Sequence, residues 1–357
     1  MKCILLMLAS LLLLGCKKDL AAPIAQPGDS LYFPPPGNTW AQISPASLGW
    51  NEAALPALYD LLEQKQTKAF LILYNGHIVL ERYFGRFTAD SSWYWASAGK
   101  TLTAALVGIA QHQGKLDIGN RTSQYLDQGW TSLPLAKENN ITIRHQLTMT
   151  TGLDDATGDA DCTQPACLQF KADAGTRWAY HNAPYTLLDK VLEQATGTTF
   201  NSYFRQQVGS RIGMDGTWVR VGYNNVLFST ARSMARFGIL MLHKGKWQDQ
   251  TVLPDAAYQN SQISSSQPLN PSYGYLTWLN GKDRHMLPTL QFVFSGSLVP
   301  NAPADLFAAL GKNDQKLYVV PSKKLVVVRM GESAGNVRMA VSSFDNELWG
   351  ALNQVIR

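Results

Sequence analysis

The most informative stretch of this chain begins at Ser97 and reads SAGKTLTAALVGIAQHQG, ending at Gly114. The residues after Lys100 predict a helical stretch from Thr101 to Gln113. Gly114 closes it, because glycine is the usual residue just past a helix end. Residues three apart lie on one face of a helix, so we expect Lys100 one turn beyond Ser97, within reach of its hydroxyl group.

This pair of residues has the chemistry of an activated nucleophile. A serine hydroxyl is a weak nucleophile until a neighbouring group accepts its proton. The amino group of a desolvated lysine can lose several pKa units from about 10.4 and then act as that base. The positive end of the helix would favour the negative charge that develops. A serine and a lysine at this spacing also arise by chance, and the alternative interpretation makes Ser97 a plain helix N-cap.

A second set of reactive side chains is Tyr-His-Asn at residues 180–182, preceded by Gly-Thr-Arg-Trp at residues 175–178. A phenol near the nucleophile can relay its proton, and the amide of Asn182 can hold a substrate carbonyl group or Lys100. The Tyr-x-Asn pattern recurs at Tyr223 and at Tyr258. The residues alone leave the choice among the three tyrosines open.

Strand-like runs stand at both ends of the chain. The dipeptide Asn75-Gly76 separates the first two runs and is a strong hairpin signal, because both of its positions need positive φ. The middle, from about residue 100 to 290, has a mostly helical pattern. Together these patterns predict one sheet built from both ends, with a helical insertion beside it. The predicted strands and flanking helices are helix 52–64, strands 69–74, 77–83, 306–310, 317–320 and 325–329, and helix 342–356.

The chain resembles the superfamily of serine β-lactamases and penicillin-binding proteins, on the branch of class C β-lactamases, related esterases and 6-aminohexanoate-dimer hydrolases. Four stretches carry the resemblance in consistent order within residues 50–356: residues 97–117, 141–153, 175–182 and 229–238. The third of these stretches selects Tyr180 from the three candidate tyrosines.

The resemblance implies an α+β fold of the β-lactamase/transpeptidase type, with an antiparallel sheet flanked by helices and an inserted all-helical subdomain. It implies that Ser97 is the nucleophile, that Lys100 and Tyr180 share general acid/base work, and that Asn182 orients the reacting groups. The oxyanion hole would use the N–H of Ser97 and another from the C-terminal strand near Leu310, and such donors are typically worth about 10²–10³ in rate.

The third motif of this family, Lys-Thr-Gly or His-x-Gly on a late strand, is absent in that form. The strand continues from Leu310 into Gly311 and Lys312. Gly311 can hold the glycine position, and Lys312 can supply a cation to the substrate. In the family the missing group helps to bind the carboxylate of β-lactams and peptide stems, so its absence disfavours true β-lactamase activity. Hydrolase activity remains consistent with the sequence, because esterases of the superfamily also vary at the third motif.

Two tryptophans stand two residues before the reactive side chains, Trp95 before Ser97 and Trp178 before Tyr180. We interpret them as walls of a cleft for an apolar or aromatic acyl group. The alternative is packing in the core.

The N-terminus carries the features of a lipoprotein signal. Lys2 and a short apolar run lead to Leu13-Leu14-Gly15-Cys16, which resembles a bacterial lipobox. We expect residues 1–15 to be a signal peptide, with a lipid on Cys16. Residues 16–48 are rich in proline and alanine and predict an extended tether, followed by the hydrolase domain at residues 49–357.

The remaining two cysteines, Cys162 and Cys167, lie in a loop-like stretch. In an envelope protein a local disulfide between them is the natural interpretation. A metal site would need more ligands nearby, so we predict no metal and no cofactor.

Charge and motifs together predict the activity. The chain has 31 Lys and Arg against 26 Asp and Glu, without a clustered basic face, which disfavours a nucleic-acid partner. We predict an envelope-anchored serine hydrolase that cleaves a small ester or amide through an acyl-enzyme on Ser97. The membrane would be contacted through the N-terminal lipid. The alternatives are a D,D-peptidase or β-lactamase on cell-wall-type amides, or a slow penicillin-binding-like protein.

Overall fold

The structure is a computed structural model that describes residues 31–337 and 339–356. The predicted signal peptide, Cys16 and the first part of the predicted tether lie outside the described residues. Among the helices at residues 31–337 and 339–356, none combines the length and the hydropathy that a membrane span requires.

Twelve α-helices and thirteen strands are described, joined by short 3-10 and π turns. The helices are α1 Leu55–Gln64, α2 Gly99–His112, α3 Ser123–Leu126, α4 Leu135–Glu138, α5 Ile143–Leu147, α6 Asn182–Thr186, α7 Leu188–Thr196, α8 Phe200–Phe204, α9 Ser210–Ile212, α10 Ala231–Leu242, α11 Ala256–Gln262 and α12 Ser343–Val355. The strands are β1 Thr67–Tyr74, β2 His77–Tyr83, β3 Trp93–Tyr94, β4 Thr217–Val221, β5 Asn224–Ser229, β6 Lys246–Trp247, β7 Gln250–Thr251, β8 Trp278–Leu279, β9 Arg284–Met286, β10 Val293–Ser295, β11 Phe307–Gly311, β12 Gln315–Val320 and β13 Leu325–Gly331.

Both ends of the chain build one sheet, as the sequence predicts. The order of its six strands is β2-β1-β13-β12-β11-β8, and every neighbouring pair is antiparallel. The turn between β1 and β2 places Asn75 and Gly76 at φ values of 50° and 85°. Lys324 takes φ 51° in the turn between β12 and β13. Positive φ at these positions lets the chain reverse tightly between paired strands.

Helices cover both faces of the sheet. On one face α10 approaches so closely that a Cβ on Gly238 would lie 2.5 Å from Val326 and 2.8 Å from Leu317. On the other face Tyr318 donates a hydrogen bond to Asp345 of α12. Leu317 and Tyr318 are consecutive, and consecutive residues of a strand point to opposite faces, so the two helices lie on opposite sides of β12.

Helix α2 is buried along nearly its whole length, from Gly99 to Ala110. It packs against α7, α11 and β11, so it joins the sheet to the helical part of the molecule. Its small residues allow this contact, since a Cβ on Gly108 would lie 2.4 Å from the ring of Tyr258. The start of this central helix is therefore held in a fixed position between the two parts of the fold.

The middle of the chain is less purely helical than predicted. Residues 217–229 form the hairpin of β4 and β5, which joins β3 in a three-stranded sheet. Along β4 only Trp218 is buried, and the four other residues of the strand are exposed. The subdomain predicted to be all-helical thus contains a β-hairpin that the sequence patterns did not predict.

Residues 31–48 do not form the extended tether that the proline-rich composition predicts. Trp40 is 1% exposed and donates its indole N–H to the carbonyl of Gly76 at 2.8 Å. Ile43 donates its backbone N–H to the carbonyl of Ile78, on the outer edge of β2. The segment covers an edge strand whose backbone groups would otherwise be unpaired, which explains why it packs on the domain.

This packing is reinforced by a buried arginine of α10. The guanidinium of Arg236 donates hydrogen bonds to the backbone carbonyls of Pro34, Pro35 and Gly37. Proline-rich backbone has carbonyl groups without internal partners, so one arginine can tie it to the domain. The domain therefore begins before residue 49.

Candidate active site

A tight turn presents Ser97 at the start of α2. Residues Ala96–Ala98 form a 3-10 turn, and Ala96 takes φ 47°, a left-handed conformation that is costly for a residue other than glycine. The preceding residue anchors the turn, because the backbone N–H of Trp95 donates to the carbonyl of Leu227 at 2.8 Å. The N-cap of α2 is Ala98 and not Ser97, so the plain N-cap interpretation of the serine is wrong.

Lys100 lies between the serine and an amide. Its Nζ donates to Ser97 Oγ at 3.0 Å and to Asn182 Oδ1 at 2.8 Å. The lysine is 3% exposed, and this burial lowers the pKa of Lys100 to about 7, against an opposing effect from the charge of Asp161. The nearby ring of Tyr185, at 4.0 Å, also favours the ammonium form, yet burial has the larger effect. A substantial neutral fraction at neutral pH lets Lys100 accept a proton from Ser97.

Tyr180 lies on the other side of the serine. Burial raises the pKa of Tyr180 well above its usual value, so the group remains a phenol at neutral pH. The side chains of Ser97 and Trp278 near its hydroxyl group act to lower the pKa of Tyr180, with a smaller effect. Its ring stacks on Trp278, with centroids 5.6 Å apart, and meets the edges of Trp178 and Tyr273. The aromatic contacts hold the phenol oxygen toward the serine.

Asn182 begins α6 and makes two hydrogen bonds of opposite sense. Its Oδ1 accepts from Lys100, while its Nδ2 donates to Asp161 Oδ1 at 2.8 Å. Asp161 is a site residue that the sequence motifs do not predict. Its only sequence signal is its position directly before Cys162, which the structure joins to Cys167 in a disulfide with Cα atoms 5.9 Å apart.

The end of β11 packs backbone against backbone on the turn that carries Ser97. A Cβ on Gly311 would lie 2.3 Å from the carbonyl oxygen of Trp95 and 3.0 Å from the backbone nitrogen of Ala98. A side chain at this position therefore cannot fit without moving the turn. Leu310 is buried in the sheet, where it pairs with Lys316. Gly311 thus lies beside the turn that carries the serine. The sequence left the place of this glycine in the site undetermined, because the third motif is absent in its usual form.

A cavity of about 200 Å³ opens beside the serine. Its lining is mixed, with two lysines, one carboxylate, three amides and two valines. The residues lining it are Ala96, Ser97, Lys100, Asp161, Asn182, Tyr185, Val221, Asn224, Asn225, Val226 and Lys312. The hairpin of β4 and β5, which the sequence analysis missed, therefore supplies one wall, and the exposed Lys312 places a cation at the rim.

The two tryptophans predicted to wall the cleft are core residues. Trp95 is fully buried and donates its indole N–H to Ser229 Oγ at 2.8 Å. Trp178 is 1% exposed and packs edge-on against Tyr273 and Trp278. Neither belongs to the described lining of the cavity. The two indole rings pack in the core beneath the backbone that carries the reactive residues. A large ring buries more apolar surface in the core than it would in the wall of the cavity.

In the described ranges no three His, Cys, Asp or Glu side chains are grouped so as to hold a metal ion.

Comparison with known proteins identifies the family. The family model Beta-lactamase matches residues 60–347. A curated relative, the 6-aminohexanoate-dimer hydrolase of Paenarthrobacter ureafaciens, is 23% identical over 222 residues, which cover 54% of this chain and 56% of that protein. This chain thus matches only about half the length of that relative.

Solved structures share the fold. A protein from Bacteroides dorei that is assigned as a β-lactamase superposes with a TM-score of 0.68 at 16% identity, over 86% of this chain and 99% of that one. A penicillin-binding protein from Bacillus halodurans superposes with a TM-score of 0.60 at 17% identity, over 83% of this chain and 99% of that one. The family match spans more than half of the sequence and shows that the chain belongs to the β-lactamase family.

Proposed function

We propose that this protein hydrolyses a small ester or amide through an acyl-enzyme on Ser97. The observation that carries the proposal is the position of Lys100, whose amino group contacts the serine oxygen and the Asn182 amide at once. A buried lysine with a lowered pKa, within hydrogen-bond distance of a serine in a cavity, is an arrangement suited to nucleophilic catalysis.

Acylation follows from the polarity of these contacts. Ser97 Oγ attacks the substrate carbonyl carbon while the neutral amine of Lys100 accepts its proton. The negative charge passes to the substrate oxygen, which the N–H of Ser97 and an N–H at the end of β11, near Leu310 and Gly311, would stabilise. When the bond to the leaving group breaks, the leaving atom takes a proton from the Tyr180 hydroxyl.

Proton transfer by Tyr180 requires a replacement proton. Burial raises its pKa, so a free tyrosinate is disfavoured and the phenol gives up one proton only as it receives another. Protonated Lys100 is the source, which restores its neutral form for the next step. Water then attacks the acyl carbon and gives a proton to the neutral amine of Lys100. As the bond between Ser97 Oγ and the acyl carbon breaks, this proton passes to Ser97 Oγ, the acid leaves, and the serine hydroxyl and the neutral lysine are regenerated.

The substrate class rests on two observations. The cavity is small, about 200 Å³, and Lys312 at its rim would face a negatively charged or polar part of the substrate. The relative from Paenarthrobacter ureafaciens is named as a hydrolase of a dimer of 6-aminohexanoate. Both favour a small acyl substrate. The alternative is a D,D-peptidase or β-lactamase, or a slow penicillin-binding-like protein. The test below includes these alternatives, because the chain shares its fold with the penicillin-binding protein from Bacillus halodurans.

We also propose that the protein is held at the bacterial cell envelope by a lipid on Cys16. The lipobox-like run before this cysteine supports the proposal. Expression of the full chain in bacteria with labelled palmitate should give a labelled protein in the membrane fraction. A Cys16→Ala variant should lose the label, and labelling that persists in the variant would contradict the anchor.

One experiment separates the candidate activities. Purified wild-type protein is treated with a fluorophosphonate probe, a chromogenic ester and a chromogenic cephalosporin, beside Ser97→Ala and the control Ser47→Ala, which changes an exposed serine. We expect probe labelling and ester turnover in the wild type and in Ser47→Ala, and neither in Ser97→Ala. An unlabelled wild-type protein would refute the hydrolase. Faster cephalosporin than ester turnover would favour a β-lactamase, and acylation without turnover would favour a penicillin-binding protein.

A further inference from the structure

The loop before the disulfide brings a carboxylate to the candidate active site. Asp161 lines the same cavity as Ser97 and Lys100, and its Oδ1 accepts a hydrogen bond from Asn182 Nδ2 at 2.8 Å. No hydrogen bond joins Asp161 to Ser97 in the described structure. Asp161 can act on the reaction through Asn182, to which it is hydrogen-bonded, and through the effect of its charge on Lys100.

The carboxylate decides which way the Asn182 amide faces. An amide has an oxygen that accepts and an NH₂ group that donates, while an ionised carboxylate only accepts. The NH₂ group of Asn182 must therefore point to Asp161, which turns its oxygen to Lys100 at 2.8 Å. The opposite orientation would set oxygen against oxygen on one side and two donors against each other on the other.

The orientation of this amide in turn fixes the lysine. A neutral amine has two N–H groups and one lone pair. The Nζ of Lys100 donates to Asn182 Oδ1 and to Ser97 Oγ, 3.0 Å away. When the amine is neutral, donation of one N–H to Asn182 Oδ1 limits its rotation, and its lone pair can turn to the Ser97 hydroxyl group and accept the proton. The other titratable groups that face Lys100 are the phenols of Tyr180 and Tyr185, and Lys312 stands at the rim of the cavity.

The position of Asp161 is held from both sides. Its backbone N–H donates to Asp159 Oδ1 at 3.0 Å, and the carbonyl of Ala160 accepts from the N–H of Ala183 at the start of α6. The next residue is Cys162, bonded to Cys167. The loop, the start of α6 and the disulfide together hold the Asp161 carboxylate in a fixed position beside the Asn182 amide.

We infer that Asp161 is a positioning residue for the proposed hydrolase. It orients the Asn182 amide, and through this amide and its own charge it influences the orientation and the protonation of Lys100. This inference rests on the proposed function. It extends the site from Ser97, Lys100, Tyr180 and Asn182 to a charged residue from a separate loop.

The charge of Asp161 predicts the direction in which the pKa of Lys100 changes when the carboxylate is removed. Asp161 favours the protonated form of Lys100, against the larger effect of burial. Removal of the carboxylate charge should therefore lower the pH at which Lys100 loses its proton, by roughly one unit, the smaller end of the effect of one nearby opposite charge. A purely structural role would reduce the folded fraction or the rate without moving this midpoint.

The test compares Asp161→Asn and Asp161→Ala with the wild type and with Asp283→Asn, which removes a charge from an exposed residue paired with Arg284. Two readouts are followed against pH. One is the rate constant for fluorophosphonate labelling of Ser97. The other is the acetylation of Lys100 by acetic anhydride, quantified by mass spectrometry, which reports the protonation of the lysine without any catalysis.

We expect both midpoints to move to lower pH in the two Asp161 variants and to stay in place in Asp283→Asn. At pH values above its midpoint, Asp161→Ala should also label about tenfold more slowly than wild type, as the loss of one hydrogen bond implies. Asp161→Asn, whose amide oxygen can still accept from Asn182, should keep most of this rate.

Unchanged midpoints in both variants would overturn the inference while the hydrolase stands. A slower rate with unchanged midpoints and a lower melting temperature would show that Asp161 only stabilises the loop, which also overturns it. An unlabelled wild-type protein would instead refute the proposed function. In that case the acetylation of Lys100 still decides whether Asp161 acts on the lysine.

Discussion

The side chains of Lys100 and Asn182 meet at 2.8 Å although they are 82 residues apart in the chain. Lys100 belongs to α2, which is buried along nearly its whole length, and Asn182 begins the short helix α6. The contact connects the helix that follows Ser97 to the loop that carries Asp161. The candidate site is thus built across elements that only the fold brings together.

Replacement of Lys100 tests its role as the base. Lys100→Met keeps an apolar stem of similar length and removes the proton acceptor, so fluorophosphonate labelling of Ser97 should fall by about 10²–10⁴-fold. The melting temperature should not fall, because the buried amino group is lost with its desolvation cost. Lys115→Met, at an exposed position beyond α2, is the control. Equal labelling of the two variants would rule out Lys100 as the base.

The wild-type rate should depend on pH in a defined direction. Burial lowers the pKa of Lys100 to about 7, so the neutral, proton-accepting form is scarce below that pH and dominant above it. Acylation should therefore increase as the pH rises through about 7 and then reach a plateau, because Tyr180 stays protonated across this range. The measurement is the pH profile of fluorophosphonate labelling of Ser97 under single-turnover conditions. A rate that falls over the same interval would contradict the assignment of a neutral lysine base.

Gly311 should tolerate no side chain. A Cβ there would meet the backbone of Trp95 and of Ala98, so Gly311→Ala must displace the turn that carries Ser97. A displacement of about 1 Å at a reacting group can cost about 10²-fold in rate, and we expect a loss of this order in ester turnover. Gly335→Ala, at a position where a Cβ meets nothing within 4 Å, is the control and should retain full activity. Full activity in Gly311→Ala would show that the strand end can move without consequence.

Reduction of the disulfide should slow acylation reversibly. The bond between Cys162 and Cys167 holds the loop of Asp161, so its loss loosens the hydrogen bond to Asn182. We expect a threefold to tenfold decrease in labelling rate, about the range of one weakened hydrogen bond, with recovery on reoxidation. A variant with both Cys162→Ser and Cys167→Ser should label slowly and be insensitive to reductant. A wild-type rate in this double variant would show that the loop is held without the bond.

A buried charge cluster between β12 and α12 should contribute strongly to stability. Lys316 is fully buried and contacts Asp345 at 2.8 Å and Asp314 at 3.1 Å. Lys316→Met leaves both carboxylates without their cation, so the free energy of unfolding should fall by about 3–5 kcal/mol. Lys65→Met breaks a partly exposed pair with Glu347 and should cost less than about 1 kcal/mol. The comparison is made by denaturant unfolding, and equal losses would refute the argument from burial.

Short-range signals in the sequence were sufficient for much of the fold. The Asn75-Gly76 hairpin, the strands near the C-terminus and helix α2 all depend on residues within a few positions of one another, and the structure contains each of them. The interval between Ser97 and Lys100 likewise predicts their contact, because three residues make about one helical turn.

Contacts between distant segments were decided only by the tertiary structure. The three Tyr-x-Asn patterns are equivalent as residues, and only the family resemblance favours Tyr180. The structure gives the physical difference: Tyr180 lies near the serine, Tyr258 donates its hydroxyl to the carbonyl of Ala104 in the core, and Tyr223 is exposed on a hairpin. Asp161 has no motif that marks it, since its role depends on a hydrogen bond to another loop.

The same limit explains the errors in the sequence analysis. Proline-rich composition predicted an extended tether at residues 16–48. The described part of it, residues 31–48, instead pairs with an edge strand and with Arg236, and composition does not describe such contacts. Trp95 and Trp178 stand near reactive residues in the sequence, but their side chains point into the core. Local spacing determines which turns, strands and helices can form, whereas the burial of apolar surface and the pairing of polar groups between distant segments determine which side chains meet.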